Sequence, residues 1–472
     1  MILAFTLSAH AEPPVSLSYD DALARASQSA SGVALAQTDH AAAIGALLAA
    51  RAPFEPTLSL GGTTFASTDE GQAQFGAYTS DTTGYTMNAG LSQAFATGTG
   101  LSLDFDADQS DSTFTIEQFD AEFGEPAWGS KLTLGLSQSL LQGHRLAWNL
   151  RGVHAAQGAV SSAELALEIA RQDAVAEAAR GYWGLHTARR LVEIAAQSRA
   201  ATAEQARITR ALVGAGKLAE VEATRIAAAL AQAERATLDA EAAVEAAEDQ
   251  LAVLIGVSLD ASVSLTSRPS PPPELPLQYH AVLDSVFQGN PSLRLARLEV
   301  DTREQDVQDA RHGLLPQLDA NGGVALRGYD PTFSGSLAEI GDAKLPQWSL
   351  GATLTMPLLN RADRGTLAQS GAALARAKVS LAQAEAIVET AARAQLRTLD
   401  GAKQLLELAE LNQRLAEETF AAEKARVVEG RSLQRDLITA QKDVDQARAD
   451  AEKARTDWLI ALVELERLRG AL

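Results

Sequence analysis

The chain has 472 residues, of which 46% are apolar but only 5% aromatic, and its formal net charge is −20. This acidic balance argues against nucleic acid as a partner, because phosphate contacts need clustered Lys and Arg. The absence of cysteine excludes disulfides, thiolate metal sites and cysteine nucleophiles.

The N-terminal residues 1–11, MILAFTLSAHA, predict a truncated secretory signal that lacks its basic beginning. Ala9, His10 and Ala11 match the small-residue pattern of a cleavage site. No run of about 18 apolar residues appears, so the sequence predicts no transmembrane helix. An exported chain without such a helix is either periplasmic or a β-barrel protein.

The first predicted repeat, 12–256, contains in order a helix, strand 56–66, an extra hairpin at 85–107, strand 131–140 and a helical hairpin at 146–256. The strands follow from period-two alternation: Leu132, Leu134 and Leu136 face one way, and the polar residues between them face the other. Each alternating segment has about ten residues, the length of a tilted strand across a bilayer. The sequence leaves the position of the extra hairpin open.

An acidic stretch, 104–125, contains eight carboxylates and neither Lys nor Arg. This composition predicts a solvated extracellular loop. Asp104, Asp106 and Asp108 also present the oxygen ligands that a hard cation prefers, so a calcium site is the alternative.

The helical hairpins are predicted from two runs of roughly 65 residues without proline. A helix of this length, about 95 Å, exceeds the helices of globular domains. The first run ends at Gly214 and Gly216, after which the chain returns. Apolar residues at Leu408, Leu411 and Leu415 show the alternating three-and-four spacing of a coiled-coil seam.

A proline-rich linker, 257–276, precedes the second predicted repeat, 277–472. This repeat contains in order a helix, strand 317–328, strand 347–357 and a helical hairpin at 361–470. The tandem repeat is inferred from matching residues. Before the extra hairpin the offset is 260, as for Arg51 with Arg311 and Pro56 with Pro316, and after it the offsets are 218 for Leu132 with Leu350 and 214 for Gly216 with Gly430.

Four wall strands per chain cannot close a membrane barrel, because such barrels have about eight strands or more. Open strand edges cannot remain in lipid, where their N–H and C=O groups lack partners. A membrane location therefore requires several chains to share one barrel. A soluble antiparallel sheet is the alternative.

The sequence shows no catalytic constellation. Its seven histidines are scattered without an H-E-x-x-H pair or another compact metal spacing. No phosphate-binding glycine loop or G-x-S-x-G elbow appears. We therefore expect surface or interfacial histidines, no cofactor and no enzymatic activity.

Four ordered segments resemble the TolC family of outer-membrane efflux proteins: SLSYDDALARA (16–26), NPSLRLARLEVDTREQDVQDARHGLLPQL (290–318), LTMPLLNRADRG (354–365) and ARVVEGRSLQRDLITAQKDVDQAR (425–448). The resemblance covers nearly the whole chain. It implies a mixed, mainly α fold with an internal tandem repeat. It also implies a homotrimer that shares a 12-stranded outer-membrane β-barrel above a periplasmic α-helical coiled-coil tunnel.

The function implied by the resemblance is a passive exit duct of a tripartite efflux pump in the outer membrane of a Gram-negative bacterium. Its partners would be outer-membrane lipid, a periplasmic adaptor (membrane fusion) protein and, through the adaptor, an inner-membrane pump. Two alternatives remain. One is the outer-membrane component of a type I protein secretion system, and the other, of a different class, is a periplasmic coiled-coil scaffold.

Family members carry a carboxylate six residues after each tip glycine, which is Glu222 in the first repeat and Asp436 in the second. Three copies of each would surround a narrow aperture with negative charge and favour cations. Arg431 and Arg435 are further aperture residues, expected to pair with Glu222 or its neighbours. Thr439 stands where family members often have a second aspartate. Ordinary solvated coiled-coil charges are the alternative.

The same resemblance assigns the hairpin tips to adaptor docking. In the first repeat and then the second, the tip residues are Gly214, Gly216, Lys217, Leu218, Gly430, Ser432 and Leu433.

Overall fold

The structure is a computed structural model that describes residues 15–73, 76–116, 119–120, 127–259, 263–268, 279–429, 431–432 and 434–472. The predicted signal at 1–11 lies outside these ranges. The chain divides into two compact units. Unit 1 comprises Met1–Ala41, Ser162–Leu298 and Val379–Leu472, and unit 2 comprises Ala42–Ser161 and Glu299–Lys378.

The fold is mainly helical with one large sheet. Its described helices are α1 (Tyr19–Ser29), α2 (Ser31–Arg51), α3 (Leu146–Asn149), α4 (Arg151–Gly214), α5 (Glu220–Ile255), α6 (Tyr279–Gly289), α7 (Pro291–Gly313), α8 (Phe333–Gly341), α9 (Arg361–Val428) and α10 (Gln434–Arg469). A 3-10 turn, Ala52–Phe54, follows α2. The longest helices, α4 and α9, have 64 and 68 residues, or about 100 Å at about 1.5 Å per residue.

Unit 1 has an apolar core of its own. One cluster surrounds Tyr182 and Leu185, and another surrounds Leu293, Trp458 and Leu465, all of them buried. Alanine is the most frequent buried residue of the long helices, and it allows helix backbones to approach closely. The helical unit is therefore stabilised by burial within a single chain.

A short parallel strand pair lies in unit 1, where β1 (Val15–Leu17) pairs with β7 (Val263–Leu265). The backbone N–H of Ser267 donates to the hydroxyl of Tyr182 at 3.0 Å, and this hydroxyl lies 3.3 Å from the carbonyl oxygen of Leu17. Part of the predicted linker is thus a strand bound to the helical core. Residues 260–262 and 269–278 lie outside the described ranges.

Unit 2 contains one large antiparallel sheet. In chain order its strands are β2 (Thr57–Ala73), β3 (Gly76–Ala94), β4 (Thr99–Ile116), β5 (Phe119–Asp120), β6 (Ala127–Ser139), β8 (Gln317–Asp330) and β9 (Leu345–Thr355). The six long strands are adjacent in the order β2-β3-β4-β6-β8-β9, and the short β5 pairs only with β4. The described sheet therefore has six long strands instead of the expected four, and β3 and β4 are the extra hairpin, whose position the sequence left open.

The predicted acidic loop is wrong for most of its length. Residues 104–116 lie in β4, which pairs with β3 on one side and with β6 on the other. The carboxylates of Asp104, Asp106 and Asp108 alternate with apolar residues, so they occupy one face of a strand instead of a loop. Residues 117–118 and 121–126 lie outside the described ranges.

One described helix, Ser31–Phe54, has the length and composition of a membrane span, with a mean hydropathy of 1.3 and 6% of its apolar window buried. This criterion is looser than an unbroken apolar run, and it leaves the prediction of no transmembrane helix untested. Alanine supplies much of the apolar character of this helix. Core helices and signal sequences meet the same criterion, so the helix carries no membrane assignment.

Candidate functional site

The six long strands of unit 2 share one apolar face. Because residues paired across strands point to the same side of a sheet, the register shows which side chains lie together. One row of paired residues crosses the whole sheet on this face: Leu58, Leu91, Leu103, Leu134, Val324 and Trp348. The apolar positions thus form a continuous surface.

This apolar surface is exposed in the single chain. Leu60 is 74% exposed, Trp348 81% and Leu350 79%. Exposed apolar surface on this scale marks contact with a membrane or another protein. Over most of its area, the described residues leave this apolar face uncovered.

The opposite face of the sheet is polar and charged. Asp106, Lys131 and Arg327 form a cross-strand row on it, and Asp104 and Asp108 flank Asp106 along β4. Apolar residues outside and charged residues inside are the pattern of a membrane barrel wall around an aqueous lumen.

The turn between β3 and β4 is hydrogen-bonded to Asn149 at the end of the sheet where β6 leads into α3. Gly98 has a φ of +78° in this turn, a conformation that suits glycine. The side-chain amide of Asn149 donates to the carbonyl oxygens of Ala96 at 2.9 Å and Gly143 at 2.7 Å. The turn is therefore bound to the segment that joins β6 to the helices.

A short helix, α8, covers part of the apolar face near the other end of β6 and β8. The hydroxyls of Ser130 and Ser336 are hydrogen-bonded at 2.7 Å, and Trp128 contacts Phe333 edge to face. A Cβ on Gly328 would lie 1.9 Å from the backbone oxygen of Ser336. Glycine at this position allows the close approach of α8.

The tip of the first helical hairpin ends in a Schellman turn. The N–H of Lys217 donates to the Leu212 carbonyl and that of Gly216 to the Val213 carbonyl, both at 2.9 Å. Gly216 has a φ of +70°, which explains glycine there. Gly214 and Lys217 are exposed and Leu218 is half-buried.

The second tip is held by side chains. The carboxylate of Glu423 accepts hydrogen bonds from Ser432 at 2.7 Å and from Arg426 at 2.8 Å. The N–H of Arg431 donates to the Arg426 carbonyl at 2.8 Å. This backbone bond matches the one from Lys217 to Leu212 in the first tip. The predicted tip residues Gly430 and Leu433 lie outside the described residues.

The two predicted aperture carboxylates each lie in the first turn of a returning helix, Glu222 in α5 and Asp436 in α10. Negative charge at a helix N-terminus is stabilised by the helix dipole. The Glu222 side chain is 26% exposed and pairs with Arg225 at 2.9 Å. Asp436 pairs with the adjacent Arg435 at 3.1 Å. Each carboxylate thus has a partner on its own helix.

Among the described residues of this chain, the two arginines do not pair with Glu222 or its neighbours. Arg435 pairs with Asp436, and Arg431 pairs with Glu429 at 3.2 Å. Each arginine and its partner are at most two residues apart in sequence. Their side chains therefore meet within the second tip, and the pairs need no contact with the first tip. Thr439 donates its hydroxyl hydrogen to the Arg435 carbonyl.

One histidine departs from the surface assignment. His312 is buried, with its ring 5.6 Å from that of His144 and 5.1 Å from that of Trp148. Burial, followed by the nearby charges of Arg145 and His144, lowers the pKa of His312. It packs where strands and helices of unit 2 meet, and its Nε2 atom is buried without a hydrogen-bond partner among the described residues. The described residues contain no group of three or more His, Asp or Glu that could hold a metal ion.

Comparison with known proteins agrees with this geometry. The family model described as outer membrane efflux protein matches residues 100–257 and 282–471. No curated protein matches the chain in a sequence search.

Solved structures show the same fold at low sequence identity. A membrane protein from Pseudomonas aeruginosa has a TM-score of 0.70 and 17% identity over 97% of this chain and 91% of that chain. The Campylobacter jejuni CmeC outer membrane channel has a TM-score of 0.69 and 13% identity over 96% and 85% of the two chains. The Vibrio cholerae outer membrane protein VceC has a TM-score of 0.67 and 14% identity over 96% of each.

Proposed function

Because this chain belongs to the outer membrane efflux protein family, we propose that it is the passive exit duct of a tripartite efflux pump, through which small molecules leave the cell. The family consists of transport channels of the outer membrane, so the chain is a channel protein and not an enzyme. The observation that supports the duct best is the sheet of unit 2, with its exposed apolar face and its charged opposite face.

We propose that three copies share one barrel. The outer edges of β2 and β9 have no partner strand within the described sheet, and open edges cannot remain in lipid. Helix α2 supplies a second surface for contact between copies, since Leu35 is 67% exposed and Leu48 is 62% exposed. The resemblance implies 12 barrel strands from four per subunit, whereas this chain carries six.

We propose that the long helical hairpins form the periplasmic tunnel and that the two halves of the chain are a tandem repeat. Matching helix ends support the repeat. Gly256 and Gly470, which are 214 residues apart, have φ values of +67° and +70°. In both cases the residue after the glycine donates its backbone N–H to the carbonyl oxygen five residues earlier: Val257 to Ala252, and Ala471 to Glu466.

We propose that the hairpin tips dock a periplasmic adaptor, which joins the duct to an inner-membrane pump, and that the tips also form the aperture. The position of Glu222 and Asp436 in the first turn of each returning helix supports this role. Three copies of each carboxylate would surround the axis with negative charge and favour cations. The local partners Arg225 and Arg435 leave these charges partly screened.

The alternatives differ in what they explain. A type I secretion duct would use the same wall and tunnel, so pull-down with adaptors distinguishes it from an efflux duct. A soluble periplasmic scaffold does not explain the exposed apolar face of the sheet. Membrane fractionation tests it: recovery in the soluble periplasm without detergent would contradict the duct.

Planar bilayers test the aperture. We expect the double variant Glu222→Ala, Asp436→Ala to raise single-channel conductance and to weaken the preference for cations, because the negative ring is removed. The control is Glu204→Ala, which removes an exposed carboxylate paired with Arg207 on α4 and should leave both values unchanged. If the double variant also leaves them unchanged, these residues do not form the constriction.

A further inference from the structure

We propose that each subunit contributes six strands to the barrel, so that three copies close an 18-stranded barrel instead of a 12-stranded one. The inference rests on the proposed duct function. It specifies how many strands the barrel has, which strands pair at the seam between neighbouring copies, and how wide the lumen is.

The extra hairpin lies inside the sheet and not at its edge. β3 pairs with β2 from Tyr78 to Ser92 and with β4 over the same residues, and β4 pairs with β6 from Thr99 to Ser110. Removal of β3 and β4 from the wall would break the ladders on both sides and leave β2 separated from β6. A four-stranded wall is therefore incompatible with this sheet.

The side chains of the hairpin agree with a place in the wall. Met87 and Leu91 of β3 and Leu103 and Phe105 of β4 lie on the same apolar face as the leucines of β6. Asp104, Asp106 and Asp108 of β4 occupy the charged face. A hairpin outside the barrel would have no reason to keep this alternation in register with the wall.

The connections also suit a barrel wall. The turn between β3 and β4 is short and bound to Asn149 at the helical end of the sheet. At the opposite end, the connection between β8 and β9 is longer and includes α8, whereas only two residues separate β2 from β3. The β3–β4 turn and the β8–β9 connection agree with outer-membrane barrels, which have short periplasmic turns and longer outer loops.

The edges of the sheet are complementary. All neighbouring long strands are antiparallel, so β2 and β9, the first and sixth strands in the sheet, run in opposite directions. The β9 of one copy can therefore pair antiparallel with the β2 of the next. Repetition around a three-fold axis closes the ladder and leaves no edge in lipid.

The stagger of the strands fits barrel closure. Leu58 lies one residue from the start of β2, whereas Trp348, in the same row of paired residues, lies seven residues from the end of β9. Relative to this row, the helical end of the strand therefore shifts by six residues between β2 and β9, which are five strand spacings apart. At about 3.3 Å per residue and about 4.8 Å between strands, this slope gives a tilt of about 40°, within the range of barrels.

At this tilt, 18 strands enclose a barrel about 36 Å across between backbones, and 12 strands one about 24 Å across. The lumen would be about 12 Å wider than in a 12-stranded duct. The outer exit then restricts cargo less than the aperture at the tips.

Engineered cysteines test the seam, since the chain has none of its own. Ser59→Cys on β2 is combined in turn with Ser349→Cys, Gly351→Cys and Thr353→Cys on β9, all on the charged face. After oxidation of outer membranes, we expect at least one pair to give covalently linked dimers and trimers on a non-reducing gel. A disulfide needs Cα atoms about 5.5 Å apart, which only paired edges provide.

The matched control places Ser102→Cys on β4 against the same three β9 positions. A 12-stranded barrel that excludes the edge hairpin β2–β3 would bring β4 to the seam, so links through Ser102→Cys, without links through Ser59→Cys, overturn the inference. Trimers and channels without any link through Ser59→Cys overturn it as well. A chain that stays monomeric in the membrane overturns the proposed duct itself. A cryo-EM map of the trimer then counts the strands directly.

Discussion

The helical unit and the strand sheet differ in where they bury their apolar side chains. In unit 1 Tyr182 and Leu293 are fully buried within the single chain, whereas in unit 2 Leu60 and Leu350 are 74% and 79% exposed. The helices therefore have a core of their own, whereas in the duct that we propose the sheet is completed by lipid on one face and further copies at its edges. The same chain thus contains one part stabilised by itself and one part stabilised by assembly.

The largest effect is expected in the helical core. Trp458→Ala removes a side chain that is 3% exposed and packs in the cluster with Leu293 and Leu465. We expect a loss of about 3–5 kcal/mol of stability, measured by heat-induced loss of helical circular dichroism. Trp348→Ala, at 81% exposure, is the control and should leave the helical transition in place. Equal losses for both variants would remove the distinction between the two units.

A charge on the apolar face of the sheet should impair assembly. Leu350→Lys places an ammonium group against lipid, at a cost of about 2–4 kcal/mol at mid-membrane depth. Ser349→Lys, the adjacent residue on the charged face, should be tolerated. For both variants, assembly is measured as the fraction of the protein that runs as a heat-modifiable trimer on a gel of outer membranes. If Ser349→Lys were the more harmful variant, the faces would be assigned the wrong way round.

Helix α8 is the place where the chain covers its own apolar face. Gly328→Val should push α8 from the sheet and weaken its docking by about 1–3 kcal/mol, because the new side chain meets the Ser336 backbone. A cysteine in place of the buried Ser336 reports this through faster reaction with a maleimide. Gly351→Val, where a Cβ meets nothing within 4 Å, is the control. An unchanged labelling rate in Gly328→Val would contradict the packing.

The smallest effect concerns a half-buried histidine in the helical unit. Burial lowers the pKa of His186, and the nearby Glu452 only partly opposes this. The unfolded chain, with a pKa of about 6.5, therefore binds the proton first as the pH falls, so stability decreases with acidification through that value. Urea unfolding across this range should show a shallower pH slope for His186→Gln than for wild type. Equal slopes would mean that His186 does not contribute.

Several strands could be predicted because alternation is local. The sequence predicts strand 317–328, and β8 is Gln317–Asp330; it predicts strand 347–357, and β9 is Leu345–Thr355. The first strand is longer than predicted, since β2 continues through polar residues to Ala73. There the apolar signal ends while the backbone pairing with β3 continues.

The acidic stretch has the alternation of a strand, although its high charge favoured the prediction of a loop. Leu103, Phe105 and Ala107 alternate with the aspartates of β4, which is the same period-two pattern as in the other strands. The carboxylate count favoured a loop. In a barrel wall, however, one face of each strand is polar, so a high charge is compatible with a strand.

For the aperture residues, the sequence predicted the positions but not the ion partners. The spacing from the tip glycine places Glu222 and Asp436 at equivalent positions in the two hairpins, and both lie in the first helical turn. Their ion partners, Arg225 and Arg435, were not predicted. Partner choice depends on side-chain geometry at each helix start, which spacing does not encode.

The sequence by itself determined the local features: the two faces of each strand, the long helices and the glycine turn at Gly216. It determined them because side-chain direction repeats every two residues in a strand and every 3.6 in a helix. Tertiary structure alone decided which strands are neighbours, and so how many of them form the wall. Pairing joins residues such as Leu134 and Val324 that are distant in the chain, and no local period specifies such a contact.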